Sequence, residues 1–492
     1  DIFFKLNSLK LEENGSQGGL DIIQKAVSLN VGEDETKRNI TWYANDTDPG
    51  ILQLALKDDM AGEEFPEQNY REFTARVESS NDPGFYSNQL TMSELKAETE
   101  YVYRLINGST VSKVYSFKTG SLGGFSFLLA GDPQIGASGS NMNDSNGWEN
   151  TLTKSLAQFP DTEFIISAGD QVNTAADENQ YAGYLNHDAL SAVPVATVIG
   201  NHDTASDAYS EHFNNPNVSS YGKTAAGSDY WYVYNNVLFL NLNSNNFSMA
   251  EHKAFMKEAI NENPDVAWKV VVFHHSIYSV ASHAVENDIL QRREEYAPVF
   301  KNLGIDVVLM GHDHVYVRSY MREGLNAQVA RNADNTPLSH VTDPEGTLYI
   351  TANSASGSKF YNIQNQEFPY SAVQSQEKVP NISNITVSPS SFKITTYRVS
   401  DMSVVDTFEM TRSTVLTGIK EPGNITGVPN GTKKDAQALG LPKTVTLTSD
   451  KGDIQTDVKW DVDASSYNPS IQKEQNFSVK GEITLPEGVS NP

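Results

Sequence analysis

The sequence predicts a multidomain protein in which one α/β domain lies between two all-β modules. The chain has 492 residues, which exceeds the size of a single ordinary core. Short β-type runs separated by Asn, Asp, Gly and Pro clusters occupy both ends of the chain. Between them, wholly apolar strands alternate with helical segments, a pattern typical of a layered α/β domain. We therefore expect domains at residues 1–120, 121–415 and 421–492.

The first segment is predicted to form a small β-sandwich. A tight turn at Asn107–Ser109 joins its last two strands. The stretch from Leu95 to Arg104, followed by Phe117-Lys118-Thr119, resembles the end of a fibronectin type III domain. The predicted strands are Lys37–Tyr43, Ile51–Leu56, Phe73–Glu78, Thr99–Leu105 and Lys113–Thr119.

The middle segment is predicted to contain buried strands and capped helices. A continuous apolar run indicates a strand that is buried on both faces. Ser248 and Glu251 form a capping box that opens a helix bounded by Pro264, and Gly304 is placed to end a helix over 291–303. The predicted strands are Phe125–Ala130, Phe164–Ala168, Val193–Ile199, Val237–Leu242, Lys269–Phe273 and Ile305–Met310.

The last segment begins in a loop rich in Gly and Pro and continues as short strands. The run from Val445 to Leu485 resembles a bacterial immunoglobulin-like domain, and we expect this module to be incomplete. The predicted strands are Lys443–Thr448, Val458–Val462, Asn476–Val479 and Glu482–Leu485.

Composition narrows the classes of function. The formal net charge of −26 disfavours binding to nucleic acid or to an anionic membrane, which would require a basic face. The chain has no cysteine, so disulfides, thiolate metal sites and a cysteine nucleophile are excluded. It has no apolar run of the roughly 20 residues needed for a membrane span. All ten histidines lie between His187 and His340, which indicates that the middle segment uses some of them.

Five short polar motifs carry the chemistry, and four of them directly follow a predicted buried strand. Asp, Asn and His side chains at such strand ends can converge at one edge of a sheet, and they are suitable ligands for a pair of divalent metals. His312 and His314 are two residues apart, so on extended backbone they would project to the same side, one for each metal. The motifs are Gly131–Gln134, Gly169–Asn173, Gly200–Asp203, His274–His275 and Gly311–His314.

The order GD…GDxxN…GNHD…HH…GHxH resembles the calcineurin-type metallophosphoesterase superfamily. With the β domain in front, the chain is most similar to purple acid phosphatases and their bacterial relatives. The resemblance covers about residues 18–415. It implies that the central domain is metallophosphoesterase-like, a β-sandwich flanked by helices.

The resemblance also implies a set of ligands for two metal ions. Asp170 would bridge both ions, Asp132 and His314 would complete one site, and the other would use Asn201, His274 and His312. His274 is preferred to His275 because Tyr278 follows it by four residues, as in the family, while His275 would lie behind the ligands or face the phosphate.

His202 would contact the phosphoryl oxygens or protonate the leaving group. His283 lies where purple acid phosphatases keep a further histidine that faces the substrate, although an ordinary surface histidine is the alternative. Asp203, which ends the same motif as His202, is also expected to be catalytic.

Two residues depart from the family pattern. Purple enzymes have an iron-binding tyrosine where this chain has Asn173, so a ferric site and its colour are in doubt. Asn173 would instead contribute to the metal site or orient the catalytic histidine. Many relatives that are not purple have a histidine ligand where this chain has Gln134, whose amide oxygen either binds metal or forms a hydrogen bond in the loop.

The resemblance implies hydrolysis of phosphate esters with a metal-bound hydroxide as the nucleophile. We expect a secreted or cell-surface bacterial phosphomonoesterase that holds two divalent or mixed-valence ions, such as Fe, Zn or Mn. Its expected partner is a small phosphorylated substrate, with no nucleic acid, and the immunoglobulin-like module suggests association with the cell wall or surface. The alternatives are a phosphodiesterase or nucleotide hydrolase, and a cell-surface binding protein with a vestigial phosphoesterase core.

Overall fold

The N-terminal region is a sandwich of two β-sheets. The computed structural model describes residues 21–486 and 488–491, so the first 20 residues of the predicted N-terminal domain lie outside the described residues. Trp42, Leu52 and Tyr103 are buried between the two sheets. The strands are Gln24–Val31, Arg38–Ala44, Ile51–Leu56, Tyr70–Thr74, Arg76–Ser79, Tyr86–Met92, Glu100–Asn107, Thr110–Val111 and Tyr115–Lys118, with a short 3₁₀ helix at Lys57–Asp59.

The strand predicted over 73–78 is instead two strands that belong to different sheets. Tyr70–Thr74 pairs with Ile51–Leu56, whereas Arg76–Ser79 pairs with Tyr86–Met92. Ala75, which lies between them, is buried. The chain therefore crosses from one sheet to the other at this residue, which a pattern of β-type residues cannot indicate.

Two sheets packed face to face form the central region, as predicted. The first contains three parallel strands, then three antiparallel ones and a short outer strand that pairs in parallel with the last of them. It continues into the N-terminal region through a pairing of Asn30 with Val195. Its central strands, in spatial order, are His340–Thr342, Val404–Thr411, Ser391–Arg398, Asn381–Ser388, Phe125–Ala130, Thr162–Ser167 and Val195–Thr197.

The second central sheet has seven strands, and four of them run parallel. Leu129 and Ile166 of the first sheet share one buried cluster with Val270 and Leu309 of the second. In spatial order its strands are Tyr230–Tyr234, Val237–Asn241, Trp268–Phe273, Val307–Met310, Leu348–Thr351, Tyr316–Ser319 and Ser371–Ser375. A separate hairpin pairs Met321–Glu323 with Asn326–Gln328.

Helices cover the outer faces of both sheets. Trp148 and Tyr184 pack on the first sheet, and Phe255 and Phe300 pack on the second. The Ser248 side chain accepts the Glu251 N–H, as the predicted capping box requires. The helices are Asn141–Gln158, Glu178–Leu185, Ala189–Ala192, Ala208–His212, Met249–Glu262 and Asn287–Leu303. The last begins before its predicted start and ends at Gly304, whose φ of 64° is the left-handed C-cap conformation.

The C-terminal region is all-β, and its described residues form one five-stranded sheet rather than two. Loop residues such as Leu439 and Tyr467 supply the apolar cover that a second sheet would have provided. The strand predicted over 476–479 is wrong, because pairing begins only at Lys480. The strands are Thr414–Lys420, Thr444–Ser449, Gly452–Asp461, Lys480–Ile483 and Val489–Ser490.

The first of these strands crosses the predicted boundary between 415 and 421. No helix in the described part of the chain is long and apolar enough to span a membrane.

Candidate metal centre

The five motifs meet where the central strands end. Asp132 follows Phe125–Ala130, and Asp170 follows Thr162–Ser167 in the first sheet. His274 and His312 follow the neighbouring parallel strands Trp268–Phe273 and Val307–Met310 of the second sheet. The carboxyl ends of parallel strands lie at one edge of a sheet, which explains why residues far apart in sequence converge here.

The backbone at this edge is unusual, and it corrects the expectation for the His-x-His motif. His312 and His314 have φ angles of 77° and 41°, so the motif is a turn and not an extended segment. Asp132 and Asp170 also have positive φ angles, 27° and 50°. Side chains disfavour this region, and such strain tends to occur at functional sites because the surrounding structure holds it in place.

Two motif glycines let the segments approach each other closely. A Cβ atom at Gly200 would lie 2.0 Å from Asp170 Oδ1. A Cβ atom at Gly311 would lie 2.4 Å from Asp132 Oδ1. Any side chain at either position would therefore displace one of the two buried carboxylates.

Asp132, Asp170 and His274 form the centre of the site. One ligand atom of each lies within 4.8 Å of the other two, and all three residues are buried. His274 Nε2 is 3.3 Å from Asp170 Oδ2 and 3.0 Å from Asn201 Oδ1. Asn201 is more exposed than the other three and lies at the rim.

His312 and His314 complete this group of six. His312 Nδ1 lies 3.1 Å from His274 Nε2, and the His312 backbone N–H donates to Asp132 Oδ1 at 2.8 Å. His314 Nε2 lies 3.2 Å from Asp132 Oδ2. The structure thus brings together all six residues assigned by resemblance as the main metal ligands.

Backbone carbonyls orient two of the imidazoles through Nδ1, the ring nitrogen that faces away from the carboxylates. His274 Nδ1 lies 2.9 Å from the carbonyl oxygen of Ala168, and His314 Nδ1 lies 2.8 Å from that of Lys359. Donation of Nδ1–H to a carbonyl leaves Nε2 with a free lone pair that faces the carboxylates. Sequence reasoning did not identify Lys359, because no motif marks a backbone acceptor.

Electrostatics in the group suits cation binding. Burial opposes protonation of His274, but Asp170 and Asp132 outweigh it and raise the His274 pKa to about 9. Burial alone would raise the pKa of Asp170, but His274 and His202 outweigh it and lower that pKa below its ordinary value. Burial and the neighbouring imidazoles, His275 first, hold the pKa of His312 well below its ordinary value. The Asp170 carboxylate is therefore ionised, the His312 imidazole is neutral, and a metal ion that binds His274 would displace a proton from its ring.

His275 lies next to the group of six, but its side-chain hydrogen bond is to a residue outside that group. Its Nδ1 atom is 2.8 Å from Ser244 Oγ, and its ring centroid is 4.8 Å from that of His312. Burial and the nearby Arg292 hold its pKa well below the ordinary value. Among the described residues it is His274, not His275, that contacts a carboxylate of the site, which supports the preference for His274.

His202 and Asn173 are connected through the backbone. His202 Nδ1 lies 2.8 Å from the Asn173 carbonyl oxygen, and the His202 N–H donates to Asp170 Oδ1 at 2.9 Å. The Asn173 side-chain oxygen accepts a hydrogen bond from Gln134 Nε2 at 3.2 Å. Within the described residues, no hydrogen bond or ion pair joins the Asn173 or Gln134 side chain to the group of six.

Asp203, which is expected to be catalytic, is hydrogen-bonded to the backbone of two motif loops. Its carboxylate is fully buried and accepts the backbone N–H groups of Gly200 at 2.8 Å and of Gln171 at 3.1 Å. Burial and the nearby Asp170 raise its pKa to about 8. Its hydrogen bonds hold the backbones of two motif loops, and its catalytic role stays a prediction.

His283 lies beside the group of six, at its more open side. Its ring centroid is 4.4 Å from that of His312, and its side chain is 21% exposed. Its Nδ1 atom lies 2.5 Å from Asp313 Oδ1. That hydrogen bond raises the pKa of His283, with burial opposing it. Asp313 lies in the GHxH motif, and nothing in the sequence marks it as a partner of His283.

The donor set fits divalent metal ions. It consists of two carboxylates, one amide oxygen and three imidazoles, which suit zinc, iron or manganese without thiolate. Asp132 Oδ2 is buried and has no hydrogen-bond partner among the described residues. A buried carboxylate oxygen without a partner is costly unless a cation binds it.

Family comparisons agree with this geometry. The sequence profile described as calcineurin-like phosphoesterase matches residues 125–316, and the profile of the purple acid phosphatase N-terminal domain matches residues 25–119. Purple acid phosphatase 1 of Ipomoea batatas is 25% identical over 296 residues, which cover 56% of this chain and 59% of that protein. An uncharacterized protein of Mycobacterium tuberculosis is 22% identical over 363 residues, 66% of this chain and 68% of that protein.

Solved structures share the fold. A purple acid phosphatase from yellow lupin (Lupinus luteus) seeds superposes with a TM-score of 0.61 at 17% identity, covering 79% of this chain and 74% of that one. The structure of PhoD gives a TM-score of 0.53 at 12% identity, covering 77% of this chain and 91% of that one.

The chain therefore contains a calcineurin-like phosphoesterase domain, which makes it a phosphoesterase hydrolase. Within this class it is purple acid phosphatase-like, with a calcineurin-like phosphoesterase domain behind a purple acid phosphatase N-terminal domain. The predicted fold class and enzyme class are confirmed.

Proposed function

We propose that this protein is a phosphomonoesterase that depends on two metal ions and acts on small phosphorylated substrates. The convergence of Asp132, Asp170 and His274 within 4.8 Å at the strand ends is the observation that carries the proposal. The preference for monoesters over diesters rests on the resemblance to purple acid phosphatases, which the match to their N-terminal domain supports.

Asp170 is the proposed bridging ligand, because it lies between groups from both sheets. Asp132 and His314 form one proposed site, since their nearest atoms are 3.2 Å apart. The other proposed site contains His274, Asn201 and His312, whose ligand atoms lie 3.0 Å and 3.1 Å from His274 Nε2. Two ions held here would act as Lewis acids and lower the pKa of a bound water.

The remaining groups act on the substrate. The Asn173 carbonyl orients His202 through Nδ1. This arrangement leaves Nε2 of His202 to hold a proton for the departing alkoxide oxygen. His283 would donate to a phosphoryl oxygen and stabilise the charge that develops there. Asp203 holds the loops that carry Asp170 and His202 in place.

Gln134 and Asn173 are proposed as a supporting pair for these loops. Their side chains form a hydrogen bond with each other, and the Gln134 backbone N–H donates to the Asp170 carbonyl at 2.7 Å. The hydrogen bond of Nε2 to Asn173 fits the loop alternative for Gln134, whereas its buried Oε1 atom, which has no hydrogen-bond partner among the described residues, is free to bind a metal ion as the other alternative requires.

Steady-state kinetics on a monoester and a bis-ester of the same leaving group would test the proposed function. We expect hydrolysis of the monoester to be faster, to stop on chelation and to return when metal is restored. Asp265 is exposed and lies before the amino end of the strand Trp268–Phe273, whereas His274 follows its carboxyl end, so Asp265→Asn is a control substitution that should retain full turnover. A bis-ester preference would favour the phosphodiesterase alternative, and metal-loaded protein without activity on either ester would contradict the proposal.

A secreted or cell-surface location stays a prediction. The support for it is the acidic, cysteine-free composition and the all-β C-terminal sheet. Fractionation of producing cells tests it, since the prediction requires the protein in the medium or the envelope.

A further inference from the structure

Asp313 lies between two proposed metal ligands in sequence, but its hydrogen bonds go elsewhere. The residue is fully buried. Its Oδ1 atom lies 2.5 Å from His283 Nδ1 and also accepts the His283 backbone N–H at 3.3 Å. Its Oδ2 atom accepts the hydroxyl of Ser279. Both carboxylate oxygens are therefore used to hold the segment that carries His283.

The His283 ring is also fixed by its neighbours. It packs against the His312 ring at a centroid distance of 4.4 Å. It is also nearly perpendicular to the Tyr361 ring, with a centroid distance of 5.0 Å and an interplanar angle of 88°. The Tyr361 ring also contacts the His314 ring at a centroid distance of 5.4 Å, so Tyr361 packs against both His283 and a proposed metal ligand. With Nδ1 bound to Asp313, Nε2 is the one ring nitrogen that His283 can offer to another group.

We propose that Asp313 is a positioning residue, which holds the His283 imidazole so that Nε2 meets the phosphoryl group of the substrate. This inference rests on the proposed function. A histidine side chain that is already held in place loses less conformational entropy when substrate binds. This smaller entropy loss should give tighter binding of phosphate and faster turnover. Asp313 itself touches neither substrate nor metal.

A double-mutant cycle tests this role. Asp313→Ala removes the acceptor, His283→Ala removes the imidazole, and the double variant removes both. In the wild-type background we expect Asp313→Ala to lower kcat/KM by about 10- to 100-fold, the range typical of partners that orient a functional histidine. In the His283→Ala background the same change should cost less than about twofold, because its target is already absent.

Metal content and phosphate affinity complete the measurement. The variants should keep the wild-type metal content, and Asp313→Ala and His283→Ala should weaken binding of inorganic phosphate to the same extent in calorimetry. Asp265→Ala is the surface control. Where Asp313→Ala does not fold, Asp313→Asn takes its place in the cycle, since it keeps the volume and removes the charge.

Three results would overturn the inference: unchanged kcat/KM in the Asp313 variant, an equal loss in both backgrounds, or loss of metal in proportion to loss of activity. Failure of the proposed function would appear differently, as absent turnover in the wild-type protein. Binding of inorganic phosphate does not depend on turnover, so it shows the effect of the Asp313 substitution whether or not the wild-type protein is active.

Discussion

The Nδ1 atom of His202 lies 2.8 Å from the backbone carbonyl oxygen of Asn173. The orienting group is thus the peptide and not the side chain, so a change of side chain at residue 173 leaves the acceptor in place. We expect Asn173→Ala to lower kcat by less than about tenfold. His202→Ala should lower it by about 10²- to 10⁴-fold, the range for loss of a general acid.

Stopped-flow or steady-state assays of the two variants at matched metal content check this prediction. Equal losses would show that the Asn173 side chain acts in catalysis directly.

A second prediction concerns colour. Asn173 presents a neutral amide that is hydrogen-bonded to Gln134, and no tyrosinate stands at this position. We expect the metal-loaded protein to be colourless in the visible range, even when iron is supplied. A visible absorption spectrum with a strong charge-transfer band would contradict this expectation and would require a tyrosine ligand from elsewhere.

Substitutions of the adjacent His274 and His275 should differ in their effect on metal content. His274 contacts Asp170 and Asn201, whereas His275 is hydrogen-bonded to Ser244. His274→Ala is therefore expected to lose one ion per chain and about 10²-fold or more in kcat/KM, while His275→Ala keeps both ions. Elemental analysis of the two variants decides the assignment, and loss of metal in His275→Ala alone would reverse it.

Asp203 is expected to affect stability more than chemistry. Asp203→Ala leaves buried N–H groups of Gly200 and Gln171 without their acceptor, which should lower the free energy of unfolding by about 3 kcal/mol. Urea denaturation followed by tryptophan fluorescence measures this change, with Asp265→Ala as the exposed control. A variant of unchanged stability that has lost turnover would restore the catalytic role.

A buried ion pair away from the site should make stability depend on pH. His252 Nδ1 lies 2.7 Å from Asp229 Oδ2, and both side chains are fully buried. Burial raises the pKa of Asp229, while the hydrogen bond to Asp229 outweighs burial and raises the pKa of His252. Asp229→Ala would leave His252 buried without its partner, at a cost of about 3–5 kcal/mol.

The sign of the pH effect follows from the raised pKa values. The folded chain binds the His252 proton more tightly than the unfolded chain, so this stabilisation is complete below pH of about 6.5 and is lost as pH rises through the higher folded pKa. The raised pKa of Asp229 acts in the same direction. We expect the stability advantage of wild type over Asp229→Asn/His252→Gln to be larger at pH 6 than at pH 9. An advantage that grows with pH would contradict the account.

Sequence predicted the core of the fold well, because buried strands have a simple pattern. The strand Phe125–Ala130 has the same bounds in the structure as the sequence predicts. The crossing at Ala75 and the missing strand over 476–479 depend on which segments pair across the fold, and local composition does not contain that information.

The same limit applies to the site. Resemblance named the six residues that converge, but the turn at His312 and His314 and the backbone acceptors at Ala168 and Lys359 required the structure. Asp313 lies in the GHxH motif, but the sequence does not indicate its role, because its partner His283 is 30 residues away and only the fold brings them together.

The number of metal ions per chain, measured in wild type and in Asp170→Asn, tests the central claim most directly. Asp170 contacts His274 and the His202 N–H at the centre of the group, so the account predicts two ions in wild type and loss of both metal and phosphatase activity in Asp170→Asn. Asp265→Asn should match wild type. Folded wild-type protein without metal, or an Asp170→Asn variant with full turnover, would contradict the account.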